Sequence, residues 1–296
     1  MGRIFAANVN AGRLRNPRPA AVVVAAAPGG RHHHGAARKS RSLPAQFHLI
    51  FVFVSMENSQ MQPQARARQL TPEDAARIQG QFMTRVYGWM FAALLITGGV
   101  ALFASTSETV MRLVFGNRFV FFGLIIAELA IVGFLSARAL TWSPAQVTAA
   151  FIGYSVLNGL TLSTIFLVYT HDSIASTFFV ASLTFGAMSL YGYVTKTDLS
   201  KWGNLLFMGL IGIVIASVVN MFWHNSVLAM AVSYLGVLLF VALTAYDTQK
   251  VKQYAFIGLT EGEDADHGAS VLGALTLYLD FINLFLFLLR IFGRRR

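Results

Sequence analysis

From residue 87 onward the chain alternates long apolar runs with short polar breaks. Each run is close to the ~20 helical residues that a hydrocarbon core of ~30 Å requires. Seven spans are predicted, at 87–105, 119–137, 146–168, 174–194, 204–223, 227–247 and 270–292. Most connections are short, which makes neighbouring helices antiparallel; the exceptions are 106–118 and the longest loop, 248–269. The fold class that follows is an all-α integral membrane protein of seven transmembrane helices. Ahead of the first span, Thr71 reads as an N-cap with Pro72 at the first helical position and Glu73 in the first turn. That start opens an amphipathic lead-in carrying Arg77 and Arg85.

Composition agrees with the pattern. Of 296 residues 55% are hydrophobic and only 12% charged, with a mean hydropathy of +0.58. No cysteine is present, which excludes disulfides, thiol catalysis and cysteine-ligated metals. The net charge of +10 is unevenly placed: residues 1–55 carry eight positive side chains and no acid, leaving +2 for 56–296. A nucleic-acid partner would rest wholly on that extension and is not expected. Residues 1–55 show no sustained period and are expected to be disordered, a targeting segment, or sequence upstream of a true start at Met56. The His32-His33-His34 run within them makes a poor metal site without further ligands. The organisation expected is an extension at 1–55, a cytoplasmic segment at 56–84 and a membrane domain at 85–296.

Orientation follows from Lys and Arg in the short loops. An N-terminus in the cytoplasm puts Arg66, Arg68, Arg77, Arg85, Arg138, Lys196, Lys201, Lys250 and Lys252 inside and only Arg112 and Arg118 in outside loops. The tail dissents: with seven crossings, Arg290, Arg294, Arg295 and Arg296 end outside, and a re-entrant segment would bring them back. Gly98, Gly99, Gly153, Gly159, Gly209 and Gly212 are expected to let helix backbones approach. Trp89, Trp142, Trp202 and Trp223 lie near span ends, as interfacial anchors do.

Few ionisable groups remain at membrane depth: Glu128 and Arg138 on the second span, Asp247 ending the sixth, and Asp280 in the seventh. A charge at that depth costs at least ~2.5–3.5 kcal/mol and needs a partner. For Asp280 the best candidate partner is Asp247. At 1.5 Å per residue, Asp247 lies about 5–8 Å below Lys250 and Lys252, and Asp280 about 15 Å into its span. The two meet if the connecting loop dips or the seventh helix starts late. Two carboxylates in one low-dielectric site cannot both ionise cheaply, so such a pair holds a proton in common and switches with pH. Arg138, at the cytoplasmic end of the second span, either clamps an ionised Asp and releases it on protonation or simply snorkels to the interface. Glu128 must face a polar interior or be protonated. Asn158, Thr161, Ser163 and Thr164 on the third span and Asn220 on the fifth either line a polar path or bond between helices. Asn283, one turn past Asp280, is a candidate for the same polar cluster. Glu261, Glu263, Asp264, Asp266 and His267 crowd the last loop without EF-hand spacing, so a solvated acidic loop is expected there rather than a cation site.

Three stretches carry a resemblance: NGLTLS at 158–163, ALTAYDTQK at 242–250 and GALTLYLDFINLFLFLLR at 273–290. With them the chain, from about Tyr87 to the C-terminus, resembles the bacterial branch of the Bax inhibitor-1 (transmembrane Bax inhibitor motif) family. The resemblance implies two three-helix layers around a central C-terminal helix and a pH-sensitive calcium leak in the bacterial inner membrane. It implies no cofactor, with Ca²⁺ as the permeant ion and the lipid bilayer as surroundings. It also implies that Asp247 and Asp280 sense protons, that Arg138 latches the closed state, and that Glu128 matches the family's acid on the second helix, one residue closer to its arginine than in the family. Bacterial relatives imply a different function class as well, a non-transporting regulator that binds a membrane-anchored ATP-dependent protease. Enzymatic readings are weaker. Tyr246-Asp247 echoes half of an intramembrane aspartyl protease site, but Leu277-Tyr278-Leu279 stands before Asp280 where a GxGD motif is needed. The last span has no lysine for a retinal Schiff base.

Overall fold

The structure, a computed structural model, describes residues 71–296; the expectations for 1–55, for a start at Met56 and for Arg66 and Arg68 lie outside the described residues. The helices are α1 (Pro72–Thr106), α2 (Glu108–Phe115), α3 (Arg118–Arg138), α4 (Pro144–Leu162), α5 (Ile165–Val168), α6 (His171–Val194), α7 (Gly203–Trp223), α8 (Ser226–Gln253), α9 (Ile257–Glu261) and α10 (Glu263–Phe292). Seven helical stretches among the described residues are long and apolar enough to cross a membrane: α1, α3, α4 with α5, α6, α7, α8 with α9, and α10.

The predicted spans all form, but several helices outrun them. Thr71 caps α1 through a 3.1 Å hydrogen bond from the Asp74 amide, with Pro72 behind it as expected. From there α1 runs unbroken for 35 residues, through the expected boundary at 84–85 and into the first span. The connection at 106–118 contains α2, capped by Ser107. The segment 248–269, expected to be the longest loop, is almost entirely helical. The sixth helix continues to Gln253, a short 3₁₀ turn covers Tyr254–Phe256, and α10 begins at Glu263. Hydropathy marks where lipid ends, whereas Glu263, Asp264 and Asp266 in the first turn of α10 favour helix by complementing its dipole. Gly262 makes the reversal between α9 and α10 at φ 96° and ψ 179°, a backbone region that side chains essentially exclude.

The centre of the bundle is α10. In its most apolar stretch 72% of residues are buried, against 6% to 33% in the other six spans. It touches α1, α4, α6 and α8, while α3 packs on α4 and α7 on α8. A central C-terminal helix thus agrees with the family expectation. Small residues make this crowding possible. At Gly268 a Cβ would collide with the carbonyl of Ala139, and at Gly273 with Val251. Of the glycines expected at helix contacts, Gly159 meets Thr97 and Val100, and Gly209 meets Leu239. Gly98, Gly99, Gly153 and Gly212 instead face open space, because hydropathy does not reveal which side of an all-apolar helix meets protein.

The tail after α10 lies along the α5–α6 connection, where Thr170 N donates to Arg294 O and Arg296 N to Val168 O, each at 3.0 Å. The C-terminal tail is therefore at the end of α10 remote from the Tyr254–Gly262 turn.

Candidate functional site

Asp280 sits midway along α10 and is 4% exposed. The Asp247 side chain, on α8, lies close enough to interact with it. Oδ2 of Asp280 is buried and has no hydrogen-bond partner among the described residues. The two helices can bring these groups together because they are antiparallel and closely packed, with Gly273 of α10 against Val251 of α8. Four residues back from Val251 and seven on from Gly273, the aspartates lie about 6 and about 10.5 Å from that contact toward the same end of the bundle, within one helical turn of each other in depth. A carboxyl can hydrogen-bond another only with a proton between them, so two carboxyls placed together in this way are suited to share one proton. Phe281, next to Asp280, packs edge-on against Phe178 and Phe185 of α6, with centroids at 5.3 and 5.6 Å. Lys250, a turn beyond Asp247, and Tyr254 are the charged and titratable neighbours of the pair.

A chain of hydroxyls that the sequence reading missed runs beside it. Thr248, next to Asp247, meets Ser189 of α6 at 3.0 Å, and Ser189 bonds Tyr87 of α1. Tyr87 and Ser189 also line a crevice of about 510 Å³ between α1 and α6. The sequence signal was weak, because single Ser, Thr or Tyr residues in apolar spans are common and only packing selects those that meet.

Glu128 and Asn158 belong to a second cluster. Thr161 donates to Glu128 at 2.8 Å, and Asn158 donates to the Tyr154 hydroxyl at 3.1 Å while its own Oδ1 is buried without a partner. Tyr154 packs edge-on against Tyr278 of α10, and Tyr278 bonds Thr97 at 2.8 Å. Tyr278 is two positions before Asp280, about 200° around the helix, so α10 separates this cluster from the aspartate pair. Glu128 thus has the polar surroundings its depth demands. The other predicted polar residues bond locally: Asn283 donates to Leu279 O, Ser163 to Leu160 O and Thr164 to Thr161 O, while Asn220 accepts from the Asn225 amide. Asn283 therefore joins neither cluster.

Arg138 is exposed at the end of α3 and forms no ion pair among the described residues. Its neighbour Ala139 abuts Gly268, twelve residues and about 18 Å along α10 from Asp280. The arginine that does reach α10 is Arg85, paired to Asp266 at 2.7 Å. Beside it His267 bonds Thr148 at 2.9 Å and stands edge-on to Trp89. Three of the expected loop acids and His267 are thus in the first turns of α10, and the described residues contain no cluster of metal-ligating side chains.

Residues 79–296 match the family model described as inhibitor of apoptosis-promoting Bax1. The chain belongs to the Bax inhibitor-1 family. It is 57% identical to the inner membrane protein YbhL of Escherichia coli K12 over 215 residues, which cover 73% of this chain and 92% of that protein. An uncharacterized protein of Borreliella burgdorferi is 43% identical over 219 residues, covering 74% and 94%. One from Deinococcus radiodurans is 44% identical over 214 residues, covering 72% and 90%. Family and relatives point to a membrane protein rather than an enzyme. Both aspartates and both polar clusters lie inside the matched region.

Proposed function

We propose that this Bax inhibitor-1 family member is a proton-regulated leak for calcium ions in the bacterial inner membrane, with its N-terminus in the cytoplasm. The observation that carries the reading is the buried Asp280 on the most buried span with the Asp247 carboxyl of α8 beside it. Removing the shared proton would leave two negative charges in contact, and only a cation offsets that repulsion in a water-poor site. Carboxylate oxygens suit Ca²⁺ as ligands, and a guanidinium is the competing cation. Arg138 acts in this scheme as the latch: when the pair ionises at higher pH, the end of α3 moves in and closes the path. In this scheme an exposed, unpaired Arg138 and aspartates sharing a proton belong to the unlatched state. The rate of leak accordingly rises as pH falls.

Calcium efflux from proteoliposomes of the purified protein, measured from pH 5 to 8, tests this. The expected results are faster efflux at the acid end, loss of the pH step in Asp247→Asn and in Asp280→Asn, and retention of fast efflux at pH 8 in Arg138→Gln. Absence of flux at every pH would instead make the chain a non-transporting regulator of other membrane proteins, a membrane-anchored ATP-dependent protease among them.

A further inference from the structure

The face that carries the C-terminus holds six arginines, Arg112, Arg118, Arg290, Arg294, Arg295 and Arg296, although the opposite face carries the loop lysines. Arg112 is matched by Glu108 at 2.6 Å. Two of the others line a pocket of about 570 Å³ where the end of α7, the start of α8 and the end of α10 converge. Arg290 reaches it from the last turn of α10, its guanidinium 5.7 Å from the Phe287 ring centroid. Arg295 reaches it from the tail, which the backbone bonds to Val168 and Thr170 hold in place. Neither arginine has an ion pair among the described residues, and no carboxylate lines the pocket.

The neutral polar lining has the same sense. Asn220 Oδ1 accepts from the Asn225 amide, and Asn225 Oδ1 accepts from the amides of Val227 and Leu228. Both side-chain carbonyls are thus occupied by backbone, and both NH₂ groups are left to donate. Ser217 and Ser226 add hydroxyls. Two guanidinium groups, two amide NH₂ groups and two hydroxyls, with no competing carboxylate, form a lining that suits an oxyanion with several acceptor oxygens. Next in sequence to lining residues, Phe222, Trp223 and Val227 are 75%, 78% and 77% exposed. Aromatic and apolar residues of that exposure next to cationic groups define the level where lipid headgroups begin.

We propose that this pocket binds the phosphate of an anionic membrane lipid, with Arg290 and Arg295 on the phosphate oxygens and the acyl chains along the apolar flank of α7 and α8. Such a lipid also supplies the counter-charge that retains the arginine-rich tail on this face against the usual distribution of loop charge.

Native mass spectrometry and thermal melting of the full chain in detergent test the assignment, with phosphatidylglycerol, phosphatidylcholine and inorganic phosphate as probes. Phosphatidylglycerol should be retained over phosphatidylcholine and should raise the melting temperature. Arg290→Gln and Arg295→Gln should each weaken its retention about tenfold, the loss expected for one charge-assisted contact. Arg112→Gln, on the same face, should leave it unchanged. If Arg290→Gln does not yield folded protein, Arg295→Gln, which lies beyond the helix, carries the comparison. Equal retention of the two lipids, or unchanged retention in the arginine variants, would overturn the site. A shift with millimolar inorganic phosphate as large as that with phosphatidylglycerol would overturn the lipid as its occupant.

Discussion

At the scale of single residues, the direction of each hydrogen bond sets what its loss costs. Thr97 donates its one hydroxyl proton to Ser155 O, so the Tyr278 hydroxyl must be the donor to Thr97. Tyr278→Phe removes that donor and leaves Thr97 otherwise satisfied, at a cost of about 1 kcal/mol. Thr97→Val instead strands a buried tyrosine O–H and costs about 1–3 kcal/mol. Unfolding of the two variants in detergent, followed by circular dichroism, should therefore rank Thr97→Val as the more damaging. The same reasoning sets the aspartates apart: a hydrogen bond between them requires a titratable proton, whereas the bonds around Tyr278 do not.

At the scale of elements, the helices extend beyond the membrane because polar residues at their ends stabilise helix as well as apolar ones do. The extra turns of α1 and α10 put Arg85 against Asp266 and Trp89 against His267, and α4 adds Thr148. These contacts join three elements at the end of α10 remote from the C-terminal tail. The Arg85 and Asp266 side chains are 50% and 18% exposed, so solvent screens much of their attraction. A double-mutant cycle with Arg85→Ala and Asp266→Ala should return a coupling of about 0.5–1 kcal/mol, falling with added salt. Sequence patterns had pointed to Arg138 as the cation near α10. Periodicity places a residue on a helix but not the helix beside its partner, and α3 packs at the edge, on α4.

At the scale of the whole molecule, the proposed N-cytoplasmic orientation with seven crossings requires the two ends of α10 to lie on opposite sides of the membrane. Because the chain has no cysteine, single introduced thiols report the topology cleanly. In intact spheroplasts, a membrane-impermeant maleimide should label Arg294→Cys and leave Glu261→Cys unlabelled until the membrane is opened. The reverse pattern would invert the proposed orientation. The seven spans were legible because burying backbone polar groups in lipid leaves a helix little alternative and demands a long apolar run for each crossing. The Asp247–Asp280 pairing was legible as a candidate because charges at such depth are few and costly, so the number of possible partners was small.

Sequence alone determined the number of spans, their approximate limits and the short inventory of groups that lipid would not tolerate unpartnered. Only the tertiary structure decided that Asp280 and Tyr278 face different polar sites across one helix, and that Arg85 pairs with Asp266 on α10. The same is true of Arg290 and Arg295, which converge on a pocket with residues from α7 and α8. The reason is that hydropathy records each segment's affinity for lipid, whereas these outcomes depend on which faces meet. In a bilayer, small-residue contacts and individual hydrogen bonds select those faces, not apolar burial.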